Sequence, residues 1–275
     1  MNAVLFILIF ILGTVFGSFY NCLAMRLERE EDFIKGRSHC MSCGHELSAL
    51  DLIPVLSYVF SGGKCRYCKE KVSVRYPLTE VLFGLLTLGV FIKDLYLPAH
   101  AAGTDILSYL FVYPDFNPWI LVIRFLRDFI LVGMLFTLSV VDIETYIIPD
   151  GLIITALIAW IVSAFFLCDG IKDAGLHLLA GLVGGAFMLI LSGIMDRVLK
   201  KESLGGGDVK LIALLGLYLG FFGLYELLLF SSLIGIAVAV ITKSRKIPFG
   251  PSIAAGAYLV LLVGDVIRDA YLSLF

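Results

Sequence analysis

Apolar runs of about 20 residues recur along this chain, and each is long enough to cross the hydrocarbon core of a bilayer. Eight can be drawn: 3–24, 77–97, 119–141, 151–168, 174–195, 208–224, 225–242 and 252–270. Charged residues form 16% of the 275 residues, against about a quarter in soluble domains. The surplus of apolar side chains therefore needs lipid as its solvent. Only weak signals around Gly223 divide 208–224 from 225–242, and both runs are short. The stretch 104–117, interrupted by Pro114 and Asp115, reads as an amphipathic piece on the outer surface. The expectation is an α-helical polytopic membrane protein with about eight transmembrane helices.

Positive charge orients it. With Met1 outside, Lys and Arg in the connecting loops divide sixteen inside to three outside. The outer three are Lys93, Lys172 and Arg268; Arg124 and Arg127 stay within the third run. A bias of that size sets topology and puts Asp142 and Asp208 on the cytoplasmic side. Positive charges follow the first apolar run rather than precede it, so 1–24 reads as a permanent helix and not a removed signal. Net charge is −2, which points to no nucleic acid or other polyanionic partner.

Residues 25–76 form the one sizeable polar stretch, too short for a robust core without a staple. Cys40-Met41-Ser42-Cys43 and Cys65-Arg66-Tyr67-Cys68 provide it: two Cys-x-x-Cys knuckles, 21 residues apart, match a ribbon-like zinc site. A reducing cytoplasm argues against disulfides. His39 and His45 flank the first knuckle, but four thiolates already complete a structural site. Cys22 and Cys168, in apolar runs, read as small packing residues. The expected product is a small cytoplasmic cysteine-rich, zinc-ribbon-like domain of short ribbons, followed by a helical bundle over 77–275.

Two acidic residues stand at run boundaries, where carboxylates are costly to desolvate. Asp142 closes the third run and Asp208 opens the sixth, after Gly205-Gly206-Gly207. An aspartate at a helix end often only caps it, and Asp150, after Pro149, is read that way. The glycines favour chemistry at Asp208, because they let backbone approach a substrate closely. A phosphate cradle does not fit, since no Lys-Ser or Lys-Thr follows.

Gly205-x-Gly207-Asp208 resembles the G-x-G-D motif of membrane aspartyl proteases, and with Val209-Lys210-Leu211 it is similar to the type IV prepilin peptidase family. Gly17-Ser18-Phe19-Tyr20-Asn21 with Arg26, the four-cysteine domain with Leu52-Ile53-Pro54-Val55-Leu56-Ser57-Tyr58, Arg75-Tyr76-Pro77-Leu78-Thr79-Glu80, and Asp142 with Ile148-Pro149-Asp150 agree with that family. Tyr20, Cys22 and Met41-Ser42 depart from its pattern.

The resemblance implies a bacterial inner-membrane enzyme that cuts the basic leader from type IV prepilins or pseudopilins at the cytoplasmic face. It also implies N-methylation of the new N-terminus with S-adenosylmethionine. Asp142 and Asp208 would then be an acid–base pair sharing one proton near neutral pH, with Gly205, Gly207 and Lys210 near the substrate. Lys210 is expected to meet acidic lipid or substrate. For Asn21, Arg75 and Glu80, contact with cofactor or the new amine and plain helix-end anchoring fit equally. Glu28, Glu30, Glu31 and Asp32 either attract the basic leader or form a solvated face. Gly181, Gly184, Gly185, Gly216 and Gly220 serve a substrate groove or ordinary helix packing. The rival class is an ion-coupled transporter relaying protons through paired aspartates, with Arg124, Arg127 and Asp128 in its favour; aspartates at the edge rather than mid-membrane count against it.

Overall fold

A computed structural model of the chain describes residues 2–31, 36–112, 118–200, 205–243 and 247–274. Asp32, Lys35, Pro114, Asp115, Lys201, Arg245 and Lys246, which enter the readings above, lie outside them. The chain divides into two units, Met1–Pro118 and Trp119–Phe275.

In the first unit, α1 (Asn2–Glu28) and α3 (Arg75–Phe91) pack along each other. Small residues permit it. A Cβ on Gly13 would meet Gly84 Cα at 2.8 Å, and one on Gly17 would meet Phe83 Cβ at 2.9 Å. Gly13 and Gly17 thus form a small-xxx-small face that brings backbones close in the absence of a hydrophobic drive between helices. Tyr20 extends the seam, with its ring 5.0 Å from that of Phe83. A π-helical turn, Ile92–Tyr96, carries α3 on into α4 (Leu97–Ala101), and α5 (Ile106–Val112) follows. Between α1 and α3 lie a 3-10 turn (Ala49–Leu52), α2 (Leu56–Phe60) and the cysteine knuckles. Isolated bridges, His39 with Glu46 and Lys64 with Lys71, stand where short ribbons were expected among the described residues. A short stretch pinned at the cysteines needs no longer strands.

The second unit holds α6 (Pro118–Thr145), α7 (Asp150–Leu167), α8 (Ile171–Leu199), α9 (Gly206–Thr242) and α10 (Gly250–Leu272). A straight α9 of 37 residues would extend about 55 Å, nearly twice the hydrocarbon thickness. It is broken at Gly220 (φ 66, ψ −171), three residues before the expected divide at Gly223. The break reverses the chain. A Cβ on Gly184 would touch both Leu224 at 3.0 Å and Ile212 at 3.6 Å, residues that a continuous helix would hold about 18 Å apart. Reversal leaves the Leu217 carbonyl without its helical donor, and His177 Nδ1–H donates to it at 2.8 Å. His177 carried no readable sequence signal; its role exists only because α9 breaks beside it.

Glycines on α8 and α9 serve helix packing. A Cβ on Gly216 would lie 2.8 Å from Gly181 Cα, and one on Gly185 would lie 3.0 Å from Ala213 Cβ. Within α6, Asp128, fully buried, pairs with Arg127 at 2.7 Å, and Arg127 lies over the Tyr218 ring at 5.5 Å. The bond goes to the adjacent arginine and not to Arg124, one turn earlier.

Among the described residues, six helices are long and apolar enough to cross a membrane: Ala3–Glu28, Arg75–Ala101, Asp150–Leu167, Ile171–Val198, Gly206–Thr242 and Gly250–Leu272. Bulky apolar side chains such as Phe165 (85% exposed) and Ile241 (79%) point outward, as lipid contact requires. The chain is a multi-pass helical membrane protein. Gly216→Val is expected to lower thermal stability in detergent by at least about 2 kcal/mol, because the new side chain meets backbone that cannot yield. Gly175→Ala, where a Cβ meets nothing within 4 Å, is expected to leave the melting temperature unchanged or raised.

Candidate functional site

Asp142 lies in the last turn of α6 and Asp208 in the first turn of α9. The first helix stops because Tyr146 turns left-handed (φ 57) and Pro149 lacks the N–H to continue it. The second starts from Gly205, and Asp208 is its third helical residue. There the carboxylate accepts the Gly205 N–H, as the acidic member of a capping box does. Gly207 is the glycine that cannot be larger: its Cβ would lie 2.9 Å from Ile148 Cβ. The loop after α6 therefore packs against the glycine loop before α9. This contact unites the acids, and the charge of Asp142 acts on Asp208 through space. Asp142 is buried and Asp208 half-buried.

One oxygen of Asp142 is held from α10: Oδ2 accepts the Gly250 N–H at 2.9 Å. A Cβ on Gly250 would come within 2.6 Å of that oxygen. The sequence reading passed over Gly250, although Pro248-Phe249-Gly250-Pro251 stands out as a turn cluster before an apolar run. Lys210 is exposed and donates to both oxygens of Asp150, at 2.7 and 3.0 Å. It meets a protein carboxylate where lipid or substrate was expected. Asp150 is the first residue of α7, with Pro149 at the cap position and no side-chain cap bond. A pair this exposed contributes little stability; it ties two loops together beside the carboxylates.

The four knuckle cysteines converge in the first unit, with their sulfurs all within 4.8 Å of one another. Cys40 Sγ and Cys68 Sγ are 3.9 Å apart, against about 3.8 Å along the edge of a tetrahedral zinc–thiolate site. The knuckles repeat one geometry. The Cys40 carbonyl accepts the Gly44 N–H, the Cys65 carbonyl accepts the Lys69 N–H, and Gly44 (φ 71) and Lys69 (φ 63) both turn left-handed. Backbone N–H groups of Cys43 and Ser42 bring the Cys40 thiol down to about 6. The Glu70 N–H lowers Cys68, but desolvation and the neighbouring sulfurs outweigh it and push that thiol up to about 12. Four such sulfurs cannot all ionise without a cation among them. His39 Nδ1 sits 3.3 Å from the Arg37 carbonyl, and His45 packs on the Tyr67 ring at 3.6 Å, so neither belongs to the sulfur cluster. Asp51 joins this domain together: the Ser48 hydroxyl and N–H, the Tyr67 hydroxyl and Arg66 hold its carboxyl below the ordinary range.

A cavity of about 420 Å³ opens in the same unit, lined by Ser18, Asn21, Tyr58, Tyr76 and Glu80 among others. Asn21 and Glu80 are buried, and Glu80 Oε2 accepts the Val55 N–H at 2.7 Å. Arg75, the third residue grouped with them by sequence, is exposed and does not line the cavity. Ser18, which bonds the Glu80 carboxylate, stood in the Gly17–Asn21 motif without a role of its own, because its partner lies on another helix.

The two units correspond to two family models. Residues 11–93 match the bacterial peptidase A24 N-terminal domain, and residues 129–240 match the type IV leader peptidase family. The prepilin leader peptidase/N-methyltransferase of Aeromonas hydrophila is 31% identical over 301 residues, covering 98% of this chain and 94% of that protein. Its namesake in Bacillus subtilis (strain 168) is 31% identical over 274 residues, covering 97% and 98%. That in Neisseria gonorrhoeae is 30% identical over 245 residues, covering 88% and 76%.

The chain belongs to the type IV leader peptidase family.

No solved structure matches it. Asp142, Asp208 and the glycine loop fall within the leader peptidase match, and Asn21, Glu80 and all four knuckle cysteines within the N-terminal match. Gly250 lies beyond both. The purified leader peptidase homologue is expected to carry one thiophilic divalent ion per chain by elemental mass spectrometry. Cys65→Ser should bring that stoichiometry close to zero, because three thiolates and a hydroxyl bind such ions far more weakly.

Proposed function

We propose that this chain cuts the leader from type IV prepilins or pseudopilins at the cytoplasmic face of the bacterial inner membrane, and then N-methylates the exposed amine. The observation that carries the first activity is the meeting of Asp142 and Asp208, from separate helices, within reach of each other's charge. Each has a backbone N–H on its carboxylate, from Gly250 and Gly205. The held oxygens fix the orientation of both groups, leaving the opposite oxygens for water and substrate. One aspartate takes a proton from water as its oxygen attacks the scissile carbonyl. The other gives its proton to that carbonyl, and the first passes the proton taken from water to the leaving amine as the C–N bond breaks. The Gly205–Gly207 segment offers backbone N–H groups to an extended chain.

Eight crossings fit the same reading: α1, α3 with α4, α6, α7, α8, the two halves of α9 divided at Gly220, and α10. The sixteen-to-three division of Lys and Arg then puts the aspartates and the cysteine domain inside the cell. A prepilin, with its basic leader inside and its apolar helix in the bilayer, would present its cut site at that boundary. Zinc suits the four sulfurs by donor type and spacing.

The methylation reading rests on the first unit's cavity. Its volume of about 420 Å³ falls within the range of small-molecule sites, roughly 300–1,000 Å³, and Asn21 leaves a buried Oδ1 without a partner there. S-adenosylmethionine, when bound, would supply a methyl carbon that the amine lone pair takes as the carbon–sulfur bond breaks. Asn21 and Glu80 would orient that chemistry.

Asp142→Asn and Asp208→Asn, each alone, are expected to cut prepilin cleavage at least about 100-fold in detergent. Residual cleavage near wild type by either variant would remove that aspartate from the mechanism. Gly250→Ala, which drives a methyl group into Asp142 Oδ2, is expected to lower kcat for cleavage at least about tenfold with little change in KM. Cleaved pilin incubated with the enzyme and S-adenosylmethionine should gain the mass of one methyl group.

A further inference from the structure

Asn21 is 2% exposed, lines the cavity of the first unit, and its Oδ1 has no hydrogen-bond partner. A buried carbonyl oxygen without a donor is unfavourable and is expected where a ligand supplies the missing N–H. Glu80 shares the cavity wall. Its carboxylate accepts the Ser18 hydroxyl and the Val55 N–H, so its orientation is set before any ligand arrives. Val55 achieves this in an uncommon conformation, φ 61 and ψ −51, within a γ-turn closed by the Leu56 N–H on the Pro54 carbonyl. A β-branched residue with positive φ is strained, and such strain persists where the surroundings demand it. Here it aims an N–H at Glu80. Gly17 completes the arrangement, since a Cβ there would lie 3.1 Å from Glu80 Cα and push α3 away from Asn21.

An amide oxygen and a carboxylate offer acceptors, so the group they receive is a donor. We infer that Asn21 and Glu80 form a subsite for a primary amine, with Ser18 and Val55 as positioning residues for Glu80. The subsite rests on the methylation reading above. Two amines of that reaction share the chemistry: the ammonium on the methionyl chain of S-adenosylmethionine, and the new N-terminus of the cleaved pilin.

The test uses the full-length protein in detergent, with prepilin cleavage as the check on folding. Three quantities are compared for wild type, Asn21→Leu and Asn21→Asp. They are the Kd for S-adenosylhomocysteine, the Kd for 5′-methylthioadenosine, which lacks the ammonium, and the KM for a mature pilin peptide in methyl transfer. If the amine is the cofactor's, Asn21→Leu weakens S-adenosylhomocysteine at least about tenfold, leaves 5′-methylthioadenosine unchanged, and Asn21→Asp restores binding. If it is the pilin's, S-adenosylhomocysteine binds normally and the peptide KM rises by the same factor. Either result supports the subsite. Cleavage intact with all three quantities unchanged in Asn21→Leu overturns it. Wild-type protein that cleaves but neither binds S-adenosylhomocysteine nor transfers methyl overturns the methylation reading, and the subsite with it. Should Asn21→Leu not accumulate, Ser18→Ala, which frees one bond on Glu80, should weaken the same amine about threefold or more, and no change there overturns the proposal.

Discussion

A carboxylate taken out of water needs donors that are already in place, and backbone N–H groups are the donors that a helical membrane protein can hold most rigidly. Both units show this. In the second, Asp142 near the end of α6 accepts the N–H of Gly250, the first residue of α10. In the first, Glu80 in α3 accepts the N–H of Val55, at the start of α2. In each case the donor is a group that helix formation would otherwise leave free. Each acid thereby gains a fixed orientation from a backbone donor.

Close approach is the second requirement, and glycine meets it at the positions where side chains would collide. Gly207 lets the Ile148 loop settle against the start of α9, and Gly250 lets its own N–H reach Asp142. Gly17 does the same for the wall that carries Glu80. Gly206 meets nothing within 4 Å, and a Cβ on Gly205 would meet only Asp208 Oδ2 at an ordinary 3.6 Å. Of the three adjacent glycines, packing requires only Gly207.

Much of this was legible from the chain alone. The apolar runs anticipated the helices because length and hydropathy together leave few alternatives in lipid. The paired Cys-x-x-Cys knuckles anticipated the sulfur cluster because their spacing suits a single tetrahedral ion. Asp142 and Asp208 were singled out by their motifs, and the fold brings them into range of each other's charge. Other features were hidden. Lys210 and Asp150 pair across a long sequence separation, so local pattern assigned the lysine to lipid and the aspartate to a cap. The turn in α9 was expected at Gly223, but the break falls at Gly220, beside the contact between His177 and the Leu217 carbonyl.

The sequence by itself determined that the chain is helical and membrane-embedded, that four cysteines would meet, and that two aspartates would stand at helix ends. Those are consequences of composition and spacing, which act over short stretches of chain. Only the tertiary structure decided which donors hold each carboxylate, which arginine neutralises Asp128, and that Asn21, in a cavity wall, keeps a buried oxygen without a partner. Those outcomes depend on contacts between residues far apart along the chain, and they come into being only once the helices have packed.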